Sequence, residues 1–434
     1  MKLPGEVGSA LPLAWHGEVA RNSMERWLTL CRREGWTDTP RDLSLLTRVF
    51  GASWYFTRFM FVDGREAAVI IDADPPSGVS TRSYLDVLLQ ALECPGREEA
   101  LERLRLYKNR LMLQILAASL RGALDQEGVE YALSCLAEAT LAAVARLHEL
   151  AGEHDGHPVT VLGMGRMAGY EMTFGSDLDI IFLYHGSGSD LDPEVERRIR
   201  LLLRNIALPT SLGVLYEVDM RLRPHGNAGV LVTSVGTFLD YHGGDRAVWE
   251  RQMMTRCRPV LDPGGAGQTL LDEVHSRIYT GYDAAHLREE IAAMRKRVQK
   301  ELGSPGGKFE IKRGRGGIMD IDFISHYLQL AHGYDQEDLR SASTRRVLRQ
   351  AARLGLLDNG DAETLLAAYD FLKQLEMSLR LFDMKSVSAF PSDPHANAAL
   401  AIAMGHAGDE EGFVRHYRAV TTGVREIFNR ILCD

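Results

Sequence analysis

The chain has 434 residues and a formal net charge of -9, and its 45% hydrophobic and 25% charged content is that of an ordinary globular protein. That length supports two or three domains with a buried core, and the acidic balance excludes a general nucleic-acid coat, which needs a basic surface. No apolar run reads as long enough to span a bilayer. The opening Met1 to Glu6 lacks a signal peptide's apolar core, and Cys31, Cys94, Cys135, Cys257 and Cys433 never form a Cys-x-x-Cys pair, which points to reduced thiols of a cytoplasmic protein.

Residues 1–150 read as a helical region. From Glu98 to Leu150, Leu, Ala and Ile recur at helical spacing, with a break near Asp125 to Gly128. Gly152 to Pro158 is a breaker-rich boundary that carries His154 and His157. The texture then changes, and residues 151–263 read as an α/β core. Val159–Leu162 predicts a strand, Arg166–Met172 a short helix, Asp177–Tyr184 a second strand, Pro193–Leu208 a helix and Leu215–Leu222 a third strand. Residues 264–434 read as a helical bundle, broken at Gly303 to Gly307, near Gly333, near Asn359-Gly360 and at Pro391 to Pro394. The fold class is therefore α+β, predominantly helical.

The most informative stretch is 161–184. A glycine turn, Gly163 to Ala168, precedes Gly175-Ser176, and Asp177 and Asp179 then open an apolar strand. Side chains two apart on a strand share a face, so the two carboxylates stand side by side. Asp219 on the third strand completes the cluster if that strand lies beside the second. Three carboxylates are a donor set for Mg²⁺ or Mn²⁺ with a nucleoside triphosphate, and Asp219 is the candidate for drawing a proton from a nucleophile. Backbone N–H groups of the Gly163, Gly165, Gly175 and Ser176 turns are candidates for phosphate. Arg221 and Arg223 follow Asp219 at two-residue spacing and are candidates for phosphate contact or for tethering the cluster.

Rival readings are weaker. Gly163 to Ala168 also fits the dinucleotide fingerprint, but no acid ends the second strand at Leu183-Tyr184-His185, where a ribose hydroxyl needs one. Gly303 to Lys308 fails as a Walker A loop, because Phe309 stands where Ser or Thr belongs. Arg246, Arg251, Arg256 and Arg258 surround Trp249 and Glu250 within Asp245 to Val260; they are candidates for stacking on a base or binding phosphate, while on a helix most of them would be solvated. Lys312, Arg313 and Arg315 belong to a basic glycine loop that leads to Asp320 and Asp322; these serve a nucleotide or acidic partner, or balance a helix dipole. His225 reads as a turn residue.

The combination of Gly163 to Gly169, Gly175 to Ile180, Val218 to Pro224, Ala228 to Ser234, Trp249 to Gln252 and Lys312 to Phe323 resembles glutamine synthetase adenylyltransferases, with Leu46 to Ser53 like that family's helical entry. The resemblance implies a polymerase-β-like nucleotidyltransferase core with flanking helical domains, ATP as substrate, and transfer of AMP to a tyrosine of glutamine synthetase. It implies Asp177, Asp179 and Asp219 as metal ligands and Arg166 as the counterpart of a usual Lys in the turn. Family members carry two such units, one adding AMP and one removing it by phosphorolysis. This chain has one, whose 228–234 and 318–323 segments look more like the adenylylating half. Phosphorolytic removal giving ADP, and a non-catalytic module binding glutamine synthetase or a PII-type signalling protein, are the alternatives. Neither nucleic acid nor membrane is an expected partner.

Overall fold

A computed structural model describes residues 3–36, 40–73, 78–150, 159–186, 192–244, 246–302, 309–391 and 393–433. The boundary at Gly152 to Pro158 with His154 and His157, the Gly303 to Lys308 segment and Asp245 lie outside the described residues. The molecule is predominantly helical around one small mixed sheet, so it is α+β.

Five strands make the sheet: β1 (Val159–Met164), β2 (Leu178–Tyr184), β3 (Val218–Asp219), β4 (Val232–Ser234) and β5 (Cys257–Leu261). The order is β3-β2-β1-β5, with β4 also paired to β2. β1 runs antiparallel to β2 and β5, while β3 and β4 run parallel to β2, β3 at its start and β4 at its end.

The sheet is buried on both faces, and its period-two alternation divides the core. Ile180, Phe182 and Tyr184 face the apolar cluster built with the helices before residue 150. Ile181 and Leu183 face the cluster built with the C-terminal helices. Two of the packing helices have legible starts. Asp125 caps Gln126–Leu147 by accepting from Gly128 N at 2.8 Å, and Asp192 caps Pro193–Ala207, with Pro193 in the first turn. Gln126–Leu147 is long and apolar enough to cross a membrane, contrary to the sequence expectation, but most of it is buried inside the protein as a core helix.

Several expectations need correction. The third strand shrinks from Leu215–Leu222 to Val218–Asp219, because Leu215 N and Tyr216 N donate to Ile206 O and Met220 begins a turn. The short helix ends at Ala168 and not at Met172. Arg256 and Arg258 do not continue a helix: Val248–Met254 is helical, and the chain then enters β5. β5 contains Pro259, which lacks an N–H and is tolerated at a sheet edge.

Candidate functional site

β1 delivers the chain to Gly165, whose φ of +53° turns it into the short helix Gly165–Ala168. A Cβ at Gly165 would stand 3.1 Å from Asp179 Oδ2, so the turn sits directly against the strand carboxylate. Gly175, at φ +68°, makes the second turn and packs on the Met384 carbonyl. Ser176 Oγ accepts from Thr173 N at 3.0 Å and so fixes the loop just before Asp177.

The parallel pairing of β2 with β3 sets Asp179 beside Asp219. Asp177, Asp179 and Asp219 can each place a carboxylate oxygen within 4.8 Å of the others. Asp177 is exposed and the other two are half-buried. Burial, with Asp177 and Asp219 adding like charge, pushes the Asp179 carboxyl up to about 7. Asp219 behaves in the opposite way. Arg221 donates to it from Nε at 2.8 Å and from the backbone at 2.9 Å, which holds its carboxyl below the usual range. Hard oxygen donors at this spacing, with one carboxylate destabilised by burial and by its acidic neighbours, fit a divalent cation of the Mg²⁺ or Mn²⁺ type.

The linkage gives a prediction. A carboxyl raised in the folded state costs stability as pH rises from about 4, its unfolded value, to about 7. Without divalent cation, Asp179→Asn should therefore be more heat-stable than the wild type at pH 8, with the gap closing toward pH 4. Added Mg²⁺ should raise the wild-type midpoint more than the variant's. An equal or lower midpoint for the variant at pH 8 would contradict this assignment. Gly165→Ala should unfold more easily by about 1 kcal/mol, the cost of a side chain at positive φ, and should bind Mg²⁺ more weakly because its methyl group presses on Asp179. A calorimetric titration checks both effects.

The other residues singled out from sequence are placed differently. Gly163 lies inside β1, where a Cβ would meet Val260 at 2.5 Å; its role is close packing. The Gly165 and Ser176 N–H groups are spent on Arg256 O and Thr173 O. Arg166 is turned away into a buried network, donating to Asp322 at 2.9 Å and to Glu171 at 3.3 Å. Arg223 holds its own turn through Met220 O at 2.8 Å and Gly229 O at 3.3 Å. Arg221 remains exposed beside the cluster. Lys312 is half-buried, its charge acts on Asp179, and burial lowers its own pKa.

Sequence reasoning missed two features. Lys108 is buried, is pushed down to about 7 by burial, and donates to Val214 O at 3.2 Å and Leu215 O at 3.0 Å. It clamps the segment that enters β3 and thereby positions Asp219. A cavity of about 210 Å³ opens against Asp177, walled by Tyr55, Lys108, Ser176, Tyr216 and Lys385. The second feature is the network itself. Glu171 accepts from Tyr369 OH at 2.7 Å and Thr344 N at 2.8 Å, and pairs with Arg256, which also reaches Asp322 at 3.1 Å. Burial opposes the charge of Glu171, yet Arg256 and Arg166 hold it down at about 2. Asp320 is likewise buried, taken by Arg295 at 2.6 Å, Gly316 N at 2.7 Å and Arg425 at 3.2 Å. Asp320 and Asp322 thus pair with buried arginines as well as standing at the start of a helix.

Comparison with known proteins agrees with the resemblance. Residues 285–432 match the family described as GlnD PII-uridylyltransferase. A Bifunctional glutamine synthetase adenylyltransferase/adenylyl-removing enzyme of Chromobacterium violaceum is 36% identical over 361 residues, which is 81% of this chain and 40% of that protein. Its namesake in Bradyrhizobium diazoefficiens is 32% identical over 353 residues, 77% of this chain and 35% of that protein. The chain therefore spans well under half the length of these relatives. Residues 43–272, the sheet and the carboxylate cluster included, match the family described as Glutamate-ammonia ligase adenylyltransferase, and the chain belongs to that family.

Proposed function

We infer that this chain is a Mg²⁺- or Mn²⁺-dependent nucleotidyltransferase that moves AMP from ATP to a tyrosine hydroxyl of glutamine synthetase and releases pyrophosphate. The observation that carries this reading is the meeting of Asp177, Asp179 and Asp219 where the start of β2 pairs in parallel with β3. The relatives' names supply the protein substrate. With this reading we propose a polymerase-β-like core at 151–263, helical regions at 1–150 and 264–434, and a cytoplasmic location. The similarity of 285–432 to a PII-uridylyltransferase supports a PII-type signalling protein as regulator.

Asp177, Asp179 and Asp219 would hold the cation, which supplies Lewis-acid stabilisation of the transferring phosphoryl group. Arg221 keeps Asp219 ionised, so this residue is better suited to ligation than to accepting the tyrosine proton. The exposed Arg221 guanidinium is free to exchange part of its Asp219 contact for a phosphate oxygen, and Lys312 adds charge to the same place. The cavity against Asp177 offers room for the nucleoside.

Mass spectrometry of glutamine synthetase after incubation with this chain, ATP and Mg²⁺ tests the reading. One AMP added on a tyrosine is the expected result. Release of ADP from adenylylated glutamine synthetase and phosphate, with no forward labelling, would assign the reverse reaction. Failure of both would reject the enzyme reading.

A further inference from the structure

A second cavity, of about 320 Å³, lies away from the carboxylates. Its walls come from the helix Gln126–Leu147, the Gly169 to Glu171 turn and the helix Thr344–Arg353. None of the three carboxylates lines it. Tyr170 in its wall lies under the Arg258 guanidinium of β5, at 3.8 Å, and β5 is two strand spacings from β2, which carries Asp179, and three from β3, which carries Asp219, or about 10 and 14 Å. Three observations distinguish it from a solvated basic helix face.

The first is charge. Arg346, Arg349 and Arg353 share one exposed face of their helix and all line the cavity. Arg346 and Arg353 meet no carboxylate among the described residues. Arg349 is paired with Glu127 at 2.8 Å, but both side chains are about half exposed, at 48% and 50%, and such pairs are weak. The second is an orphaned donor. Arg345 also lines the cavity, and its Nη2 is buried with no hydrogen-bond partner, although its Nη1 and Nε hold Glu130 and Asp370. The third is an aromatic wall. Tyr131 stays 40% exposed, with its ring centroid 5.2 Å from that of Tyr170. Tyr170 is itself held at φ +56°, a conformation rarely adopted without local constraint.

Forked guanidinium donors recognise phosphate oxygens, and a flat exposed ring recognises a base. The volume is at the low end of small-molecule sites, which run from about 300 to 1,000 Å³. We propose that this cavity binds a nucleoside monophosphate, with the phosphate on Arg346, Arg349 and Arg353 and the base against Tyr131. The proposal stands independently of the transfer reaction. Its wall residue Glu171 belongs to the segment that leads to Asp177, so occupancy is positioned to report on the cluster.

Calorimetry with AMP in EDTA tests it, since without cation the carboxylates repel phosphate. Saturable binding is expected in the wild type and, unchanged, in the double variant Asp177→Asn, Asp179→Asn. Arg346→Glu with Arg353→Glu should weaken binding at least tenfold. Arg33→Glu with Arg415→Glu, equal in charge and outside the cavity wall, should not. Tyr131→Ala should bring AMP down to the affinity of inorganic phosphate. No saturable AMP binding in EDTA, loss in the Asp177 and Asp179 variant alone, or equal wild-type affinity for AMP and inorganic phosphate would each overturn the proposal. Both arginines are exposed, so a circular-dichroism melt that matches the wild type shows that lost binding is not lost folding.

Discussion

The double variant Asp177→Asn, Asp179→Asn should lose AMP transfer by at least about a thousandfold, while remaining folded. The cation's stabilisation of transferring charge is worth several kcal/mol, and each 1.36 kcal/mol is tenfold in rate. The variant keeps the shape of both side chains and removes only the charge that would hold the cation. It also relieves the crowding that pushes Asp179 up to about 7, so its melting temperature should equal or exceed that of the cation-free wild type. Loss of activity together with a higher melting temperature is a signature that simple misfolding cannot give. Labelling of glutamine synthetase by adenine-tagged ATP measures the first half and calorimetry the second. Labelling at the wild-type rate would remove the carboxylates from the reaction.

The largest stability effect is expected at Glu171. Glu171→Gln leaves Arg166, Arg256 and Asp322 in place but removes one of the two anions that the two arginines share. Breaking a buried pair from one side costs about 3–5 kcal/mol, because the remaining charges stay desolvated. Denaturant titration should show this as a lower midpoint. The pH dependence has a definite sign. A carboxylate depressed to about 2 stabilises the fold above its unfolded value of 4.5, and that contribution is lost as pH falls from 4.5 toward 2. The wild type should therefore lose more stability than the variant across that acid range. Removing the exposed Arg82–Asp86 pair should leave the midpoint unchanged. A Glu171→Gln midpoint equal to that of the wild type would show that the network is not integral to the fold.

The contrast between these sites explains what the sequence could reveal. Asp177 and Asp179 are two residues apart at the start of an apolar run, and a strand's period alone puts them on one face. Asp219 needed one added assumption, that its strand lies beside β2, and the pairing of Asp179 with Asp219 meets it. β4 and β5 left no comparable signal. They have three and five residues, and the arginines around Trp249 gave the stretch before β5 a helical look that ran on into the strand. Arg166 was legible as a cation beside a glycine turn but not as one drawn into a buried network. Its partner Asp322 is 156 positions away, and no local pattern encodes that meeting. Lys108 was invisible for the same reason, since it binds backbone carbonyls more than 100 residues further on.

The wide sequence separation within the network bears on time as well as on stability. Arg256 and Glu171 are 85 residues apart and Arg166 and Asp322 are 156 apart. Such contacts form only after long loops have closed, so they are expected to form late in folding. Interactions that form after the rate-limiting step act on the way out and not on the way in. Weakening any of these pairs should therefore speed unfolding while leaving the refolding rate almost untouched, and the network serves as a latch that sets the lifetime of the native state.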